Sequence, residues 1–159
     1  MKPRLLALAA ILSGFGLTAC AADFWDMDPP AEIVLDPALA GELFIEGVEV
    51  RSAFYNPPDA FSDAFIPAFL DGASCFGGRT PVRAIVFIHA LDRDGDLIAD
   101  DGRVRLPGSV DLQDARGRVI ARYPIRADLP AAGDDLTARR TAAAEVFGER
   151  LCERIEAAR

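Results

Sequence analysis

Val82-Arg83-Ala84-Ile85-Val86-Phe87-Ile88-His89-Ala90-Leu91 is the stretch on which the reading of the fold turns. Alternation along an extended chain puts Ala84, Val86, Ile88 and Ala90 on one face and Ile85, Phe87, His89 and Leu91 on the other. Both sets are apolar apart from His89, which predicts a central strand covered on both sides. Upstream, Leu43 to Arg51 reads as a first strand, its second half alternating cleanly, and Asn56-Pro57-Pro58 ends it. Residues 59–74 place Phe61, Phe65 and Phe69 four apart, one aromatic stripe along a helix. Pro67 falls inside that helix and is expected to kink it or delay its start. Downstream, Arg103 to Leu112 and Gly117 to Arg126 read as a strand pair. Asp114-Ala115-Arg116-Gly117 makes the tight turn between them, with glycine at its left-handed position. Pro107-Gly108 is expected to put a bulge or bend in the first of the two. Asp134-Asp135 then suits a helix N-terminus. The final helix runs to about Glu156, with Leu136, Ala143, Phe147, Leu151 and Ile155 on its buried face and Cys152 on its flank.

The order β-α-β-β-β-α predicts an α+β domain: a four-stranded, mainly antiparallel sheet carrying two helices in a two-layer sandwich. Residues 41–159 form this single domain. Residues 20–40, with the segment Asp26-Met27-Asp28-Pro29-Pro30 and little periodicity, read as a flexible tether; Phe24 and Trp25 within it suit either lipid headgroups or a return onto the domain.

The chain starts differently. Lys2 and Arg4 precede the apolar run Leu5 to Leu12, Ser13-Gly14-Phe15-Gly16 loosens it, and Leu17-Thr18-Ala19-Cys20 follows. The apolar run is shorter than the roughly 20 residues a spanning helix requires, and its flanks are those of a cleaved signal. Leu17-Thr18-Ala19-Cys20 resembles the lipobox of bacterial lipoproteins. That resemblance implies that residues 1–19 are removed and Cys20 becomes the acylated N-terminus. One acyl chain is a marginal anchor and two or more are stable. Ala21 after the cysteine implies sorting to the outer membrane, facing the periplasm; the inner membrane is the alternative. Beyond residue 20 the layout is loosely similar to small lipoprotein domains that serve as accessory parts of envelope machines.

The formal net charge of the 159 residues is -8, and it becomes more negative once Lys2 and Arg4 leave. An acidic domain does not bind nucleic acid through counterion release and is repelled by anionic lipid, so the membrane is reached through the lipid anchor. Cys75 and Cys152 remain besides Cys20. In an exported chain such a pair is expected to oxidise to a disulfide; two buried thiols or a metal pair are the alternatives, the latter without any CxxC spacing to favour it.

No motif specifies a reaction. His89 sits mid-strand, no GxSxG occurs, and no catalytic residue is assigned. The one metal-like constellation is Asp92, Asp94, Asp96 and Asp100, at offsets 1, 3, 5 and 9 of a calcium loop. Leu97 stands where such a loop has glycine, and Arg103 where it has a bidentate glutamate. An acidic turn between strands accounts for the same residues. Outward strand positions carry Arg105, Arg118, Arg122 and Arg126, alternating with inward Val104, Leu106, Val119, Ala121, Tyr123 and Ile125; this basic face is the candidate surface for an anionic partner. The sequence therefore points to a non-enzymatic accessory lipoprotein that binds another envelope component and needs no cofactor, with a calcium- or small-ligand-binding module as the alternative.

Overall fold

The computed structural model describes residues 30–52, 57–89, 99–100, 102–130 and 135–158. The chain forms an α+β domain with a mainly antiparallel sheet and two helices. β1 is Leu43–Ser52, α1 Asp59–Gly72, β2 Thr80–Ile88, β3 Ala99–Asp100, β4 Arg103–Gln113, β5 Val119–Pro130 and α2 Leu136–Ala157. β1 and β2 are parallel, joined by α1 as a crossover; β2 pairs antiparallel with β4, and β4 with β5. The two-residue β3, absent from the sequence reading, pairs with β4 at Val104 and Arg103. Because β5 lines β4 from Arg103 to Gln113, β2 and β3 share β4's other edge.

The central position of β2 is as expected: Val82, Ala84, Val86 and Ile88 are buried among the helices' residues, and Ile85 is buried on the opposite face. β2 is described as far as Ile88, and the His89 N–H continues the ladder by donating to the Pro107 carbonyl at 2.9 Å; Ala90 and Leu91 of the expected strand lie outside the described residues. Pro107 does not bulge β4. Its carbonyl still accepts from His89, and its missing N–H costs only the return bond of that last pair, where β2 has already ended. Gly108 is required for a different reason: a Cβ there would lie 2.2 Å from the Phe87 carbonyl oxygen and 2.9 Å from the Phe147 ring. The register shift lies instead at Leu112/Gln113. It puts Ile120, not Val119, against the core. The extra residue of a bulge reverses the alternation at that point.

Both helices cover one face of the sheet. Phe65 stacks on Phe61 at 5.4 Å and on Phe69 at 6.0 Å, and meets the edge of Phe147 from α2 at 5.9 Å. α1 runs unbroken through Pro67 from its start at Asp59. Pro67 and Asp63 are both exposed, so the Asp63 carbonyl that loses its helical partner turns to water. Burial of the three phenylalanines, each contributing about 2–3 kcal/mol, outweighs the roughly 3 kcal/mol a mid-helix proline costs. α2 begins at the Asp135 cap, whose carboxylate accepts from the Thr137 and Ala138 N–H groups. Leu136 is only half-buried, whereas Ala143, Phe147, Leu151 and Ile155 are core as expected.

Residues 32–40 of the expected tether, residues 20–40, pack on the domain instead. Leu35 is in the core, and its N–H donates to the Tyr123 hydroxyl at 2.9 Å. Ile33 and Arg122 exchange backbone hydrogen bonds at 2.9 and 2.8 Å, Glu32 pairs with Arg154 of α2, and Pro37–Leu39 forms a 3-10 turn. Aliphatic Ile33 and Leu35, two apart, anchor a stretch whose overall composition reads as linker. The start of the chain, including Cys20, Phe24 and Trp25, lies outside the described residues. No helix among the described residues is long and apolar enough to cross a membrane.

Cys75 and Cys152 form a disulfide with their Cα atoms 5.7 Å apart. It ties the chain just beyond α1 to the last turns of α2.

Candidate functional site

The sheet face away from the helices is where the arginines gather. Cross-strand register builds it in rows: Glu49, Ile85, Asp111 and Arg122 form one, and Arg51, Phe87, Ser109 and Pro124 the next. Pro107 and Arg126 face each other beyond them, then Arg105 and Asp128. Among the described side chains on this face, Arg51, Arg83, Arg103, Arg105, Arg122 and Arg126 outnumber the carboxylates Glu49, Asp111 and Asp128. The rest of an acidic chain carries the opposite surplus.

Its centre is dry. Ile85 is 1%, Ser109 2% and Asp111 3% exposed. Arg122 grips the Asp111 carboxylate with two bonds, Nε to Oδ1 at 2.6 Å and Nη2 to Oδ2 at 2.5 Å. The carboxylate holds the guanidinium charged, raising its pKa against the opposing effect of burial. Arg122→Met keeps the apolar stem but leaves a buried carboxylate without its cation, and is expected to cost about 2–3 kcal/mol. Asp111→Asn is expected to cost less, because the Arg122 side chain is 30% exposed and water solvates it. Urea unfolding distinguishes the two. Equal, negligible losses would show a pair no stronger than a surface one.

Around this centre the arginines are paired to different degrees. Arg51 bonds Glu49 at 2.6 Å and lies 5.7 Å over the Phe87 ring. That bond, and the charges of Arg51 and Arg83, hold the Glu49 carboxyl below its usual pKa. Arg105 lies 3.9 Å from Asp128, which Arg103 also reaches at 2.6 Å. Of the four arginines singled out from sequence, Arg105, Arg122 and Arg126 are on this face. Arg118 is not. It precedes β5 and belongs to the turn, where Asp114 accepts from the Arg116 and Arg118 N–H groups at 2.9 and 3.0 Å and from Arg118 Nε at 2.8 Å. These bonds, the Arg118 N–H first, lower the Asp114 pKa. Gly117, at φ +76°, closes the turn. Arg51, Arg83 and Arg103 were missed: β1 and β2 were read for their apolar residues, and Arg103 was weighed only against a calcium loop, although all three follow the same alternation.

His89 is half-buried at the end of β2, and burial pushes its pKa below the ordinary value near 6.5. The unfolded chain therefore takes up a proton at higher pH than the folded one. The stability contributed by neutral His89 is complete above about pH 6.5 and falls as the pH drops toward the folded pKa. NMR titration of this sole histidine should give a midpoint below 6.5, and His89→Gln should flatten the loss of stability between pH 7.5 and 5.5. A midpoint at or above 6.5 would overturn the burial argument.

Among the described residues no group of three or more His, Cys, Asp or Glu is placed to hold a metal ion. Asp92, Asp94 and Asp96 lie outside the described residues, as does the side chain of Asp100.

No family model matches the chain, and no curated protein matches it. Solved structures share part of its layout. A point variant of the PelC dodecamer from Paraburkholderia phytofirmans aligns at 14% identity and TM-score 0.44, covering 75% of this chain and 93% of that one. PelC from the same organism in a second crystal form aligns at 15% identity and TM-score 0.42, covering 73% and 92%. Protein XCC0632 from Xanthomonas campestris aligns at 14% identity and TM-score 0.39, covering 82% and 90%. What these structures share with the chain is an arrangement of strands and helices.

Proposed function

We infer that this chain is an envelope lipoprotein, acylated at Cys20 and facing the periplasm from the outer membrane, that acts by binding another envelope protein rather than by catalysis. The observation that carries the reading is the segregation of charge: an acidic chain turns an arginine-bearing, helix-free sheet face outward. Such a face recognises an acidic protein surface and discriminates against basic ones. The Cys75–Cys152 bond fits an oxidising compartment, and the apolar run ahead of Cys20 supports export. The sequence carries no nucleophile motif of the GxSxG kind, which favours binding over chemistry.

The test is recovery from native membranes. Labelled palmitate should be incorporated at Cys20 and lost in Cys20→Ala. Crosslinking followed by affinity purification should bring down one stoichiometric envelope protein, and Arg126→Glu together with Arg83→Glu should weaken the capture. Reproducible recovery of the lipoprotein alone would overturn the binding role, and an unlabelled polypeptide would overturn the anchor.

A further inference from the structure

β1 is the outermost strand of the sheet, and among the described residues no strand pairs with its outer edge. We propose that residues 48–52 on this edge pair antiparallel with the same residues of a second copy of the chain, about a two-fold axis through Val50. The inference stands apart from the reading of the arginine-bearing face and needs neither the anchor nor an envelope partner.

Two observations converge. The first is a contrast between edges. A long bare edge recruits another strand unless prolines, bulges or a covering segment prevent it. β5 contains Pro124 and Pro130, and Ile33 bridges it at Arg122. β1 has one such backbone device, the register shift between Ile45 and Gly47 that leaves Glu46 as the extra residue. Beyond it, residues 48–52 carry no proline and keep an unbroken register with β2 from Ala84 to Ile88.

The second is the order of charges on that stretch. Glu49 and Arg51 lie on the face away from the helices, with Val50 between them on the helix side. Residues directly opposite in an antiparallel pair share a face. With Val50 opposite Val50, each Glu49 therefore meets Arg51 of the other copy, and four charges alternate around the axis. The neighbouring registers that keep the faces aligned set Glu49 opposite Glu49 or Arg51 opposite Arg51, and like charges directly opposite are destabilising. The stretch is thus complementary to itself in one register, as an isologous interface requires. The pairing also brings together the half-buried Val50 side chains, a β-branched cross-strand pair. Both copies keep their helices on one side, so their arginine-bearing faces run on as one surface.

Disulfide trapping tests the pairing. The full-length chain carrying Val50→Cys is oxidised with copper phenanthroline in its native membrane, and linked peptides are mapped by mass spectrometry. The expected product joins position 50 of two copies, whose Cα atoms would lie about 4.5–5.5 Å apart, within disulfide reach. Val48→Cys should link to itself about tenfold less, because its counterpart would be about 13 Å away along the strand. Adding Glu49→Arg to Val50→Cys should lower the yield about fivefold, and adding Arg51→Glu as well, which exchanges the two charges, should restore it. Coexpressed Glu49→Cys and Arg51→Cys chains, altered only at exposed side chains, should link to each other more than either links to itself. That second experiment decides the matter if Val50→Cys disturbs β1. Formation of the Cys75–Cys152 bond in each variant verifies folding. Equal yields at positions 48 and 50, no link in either experiment, a yield indifferent to Glu49→Arg, or no recovery on charge exchange would overturn the pairing. Capture of an envelope protein through Arg83 and Arg126 is read separately, so failure of one result leaves the other standing.

Discussion

Gly148→Ala is expected to destabilise the domain by about 3 kcal/mol, although alanine is the better helix former by about 1 kcal/mol. Gly148 is in the middle of α2, where a Cβ would come 2.3 Å from the Phe69 carbonyl oxygen and 2.7 Å from the Ala73 nitrogen. The reciprocal site is Gly72 at the end of α1, where a Cβ would come 2.1 Å from the Glu145 carbonyl oxygen. The obstructing atoms are backbone, so no rotamer change relieves them. The helices must separate, and the stacked Phe65, Phe69 and Phe147 between them lose their fit. Overpacking of this kind costs roughly 1–3 kcal/mol even where side chains are free to give, and a rigid obstruction raises that figure. Gly47→Ala is the control: β1 has open space at that position, and a change within about 0.5 kcal/mol is expected. Denaturant unfolding of the three variants decides the matter. If Gly148→Ala and Gly72→Ala match or exceed the parent, the close helix crossing is wrong.

Cys75→Ser combined with Cys152→Ser is expected to lower stability by about 4 kcal/mol, the chain-entropy figure for a closed loop of this size, given the 77-residue separation. For a domain of this length that corresponds to a fall in melting temperature on the order of 10 °C. A reductant should reproduce the loss in the parent and leave the double variant unchanged, which separates the bond from any effect of the serines. The two predictions are coupled. The bridge joins the chain three residues beyond Gly72 to α2 four residues beyond Gly148, so it holds the helices at the crossing the glycines permit. The Gly148→Ala loss and the disulfide loss should therefore fail to add. A double-serine variant that melts with the parent, or free thiols in protein purified from the periplasm, would refute the bridge.

Much of the fold could be read directly because its signals are local. Phe61, Phe65 and Phe69 repeat at helical spacing, β2 is apolar on both faces, and Asp114 to Gly117 has the composition of a tight turn. Those features predicted the α+β order and the buried face of α1. The misreadings have one cause, which is that tertiary partners were unknown. Pro67 was given a delayed helix start as one outcome without the aromatic packing that lets α1 begin at Asp59. Residues 30–40 were assigned to the tether because their composition is that of a linker, while the contact of Leu35 with Tyr123 depends on residues 88 positions apart. Arg118 was assigned to a strand face because alternation was carried one residue too far, across the bulge that shifts the register.

The candidate site divides the same way. Alternation was enough to find Arg105, Arg122 and Arg126 on one face, since the side-chain period of a strand is a property of the backbone. Which of them stand in water is not. Arg122 is committed to Asp111 only because β4 and β5 pair in one register, and a slip of β5 by one residue would send Arg122 to the core side.

By itself, then, the sequence determined the periodicities, the turns, the acidic balance and the apolar run ahead of Cys20, all of which extend over a few neighbouring residues. Only the tertiary structure decided that the helices cross on bare glycine backbone, that Leu35 is core rather than linker, and that the arginines of four strands converge on a face the helices leave open. Those outcomes depend on strand order and register, which are set by the simultaneous burial of side chains distant along the chain and are carried by no single segment.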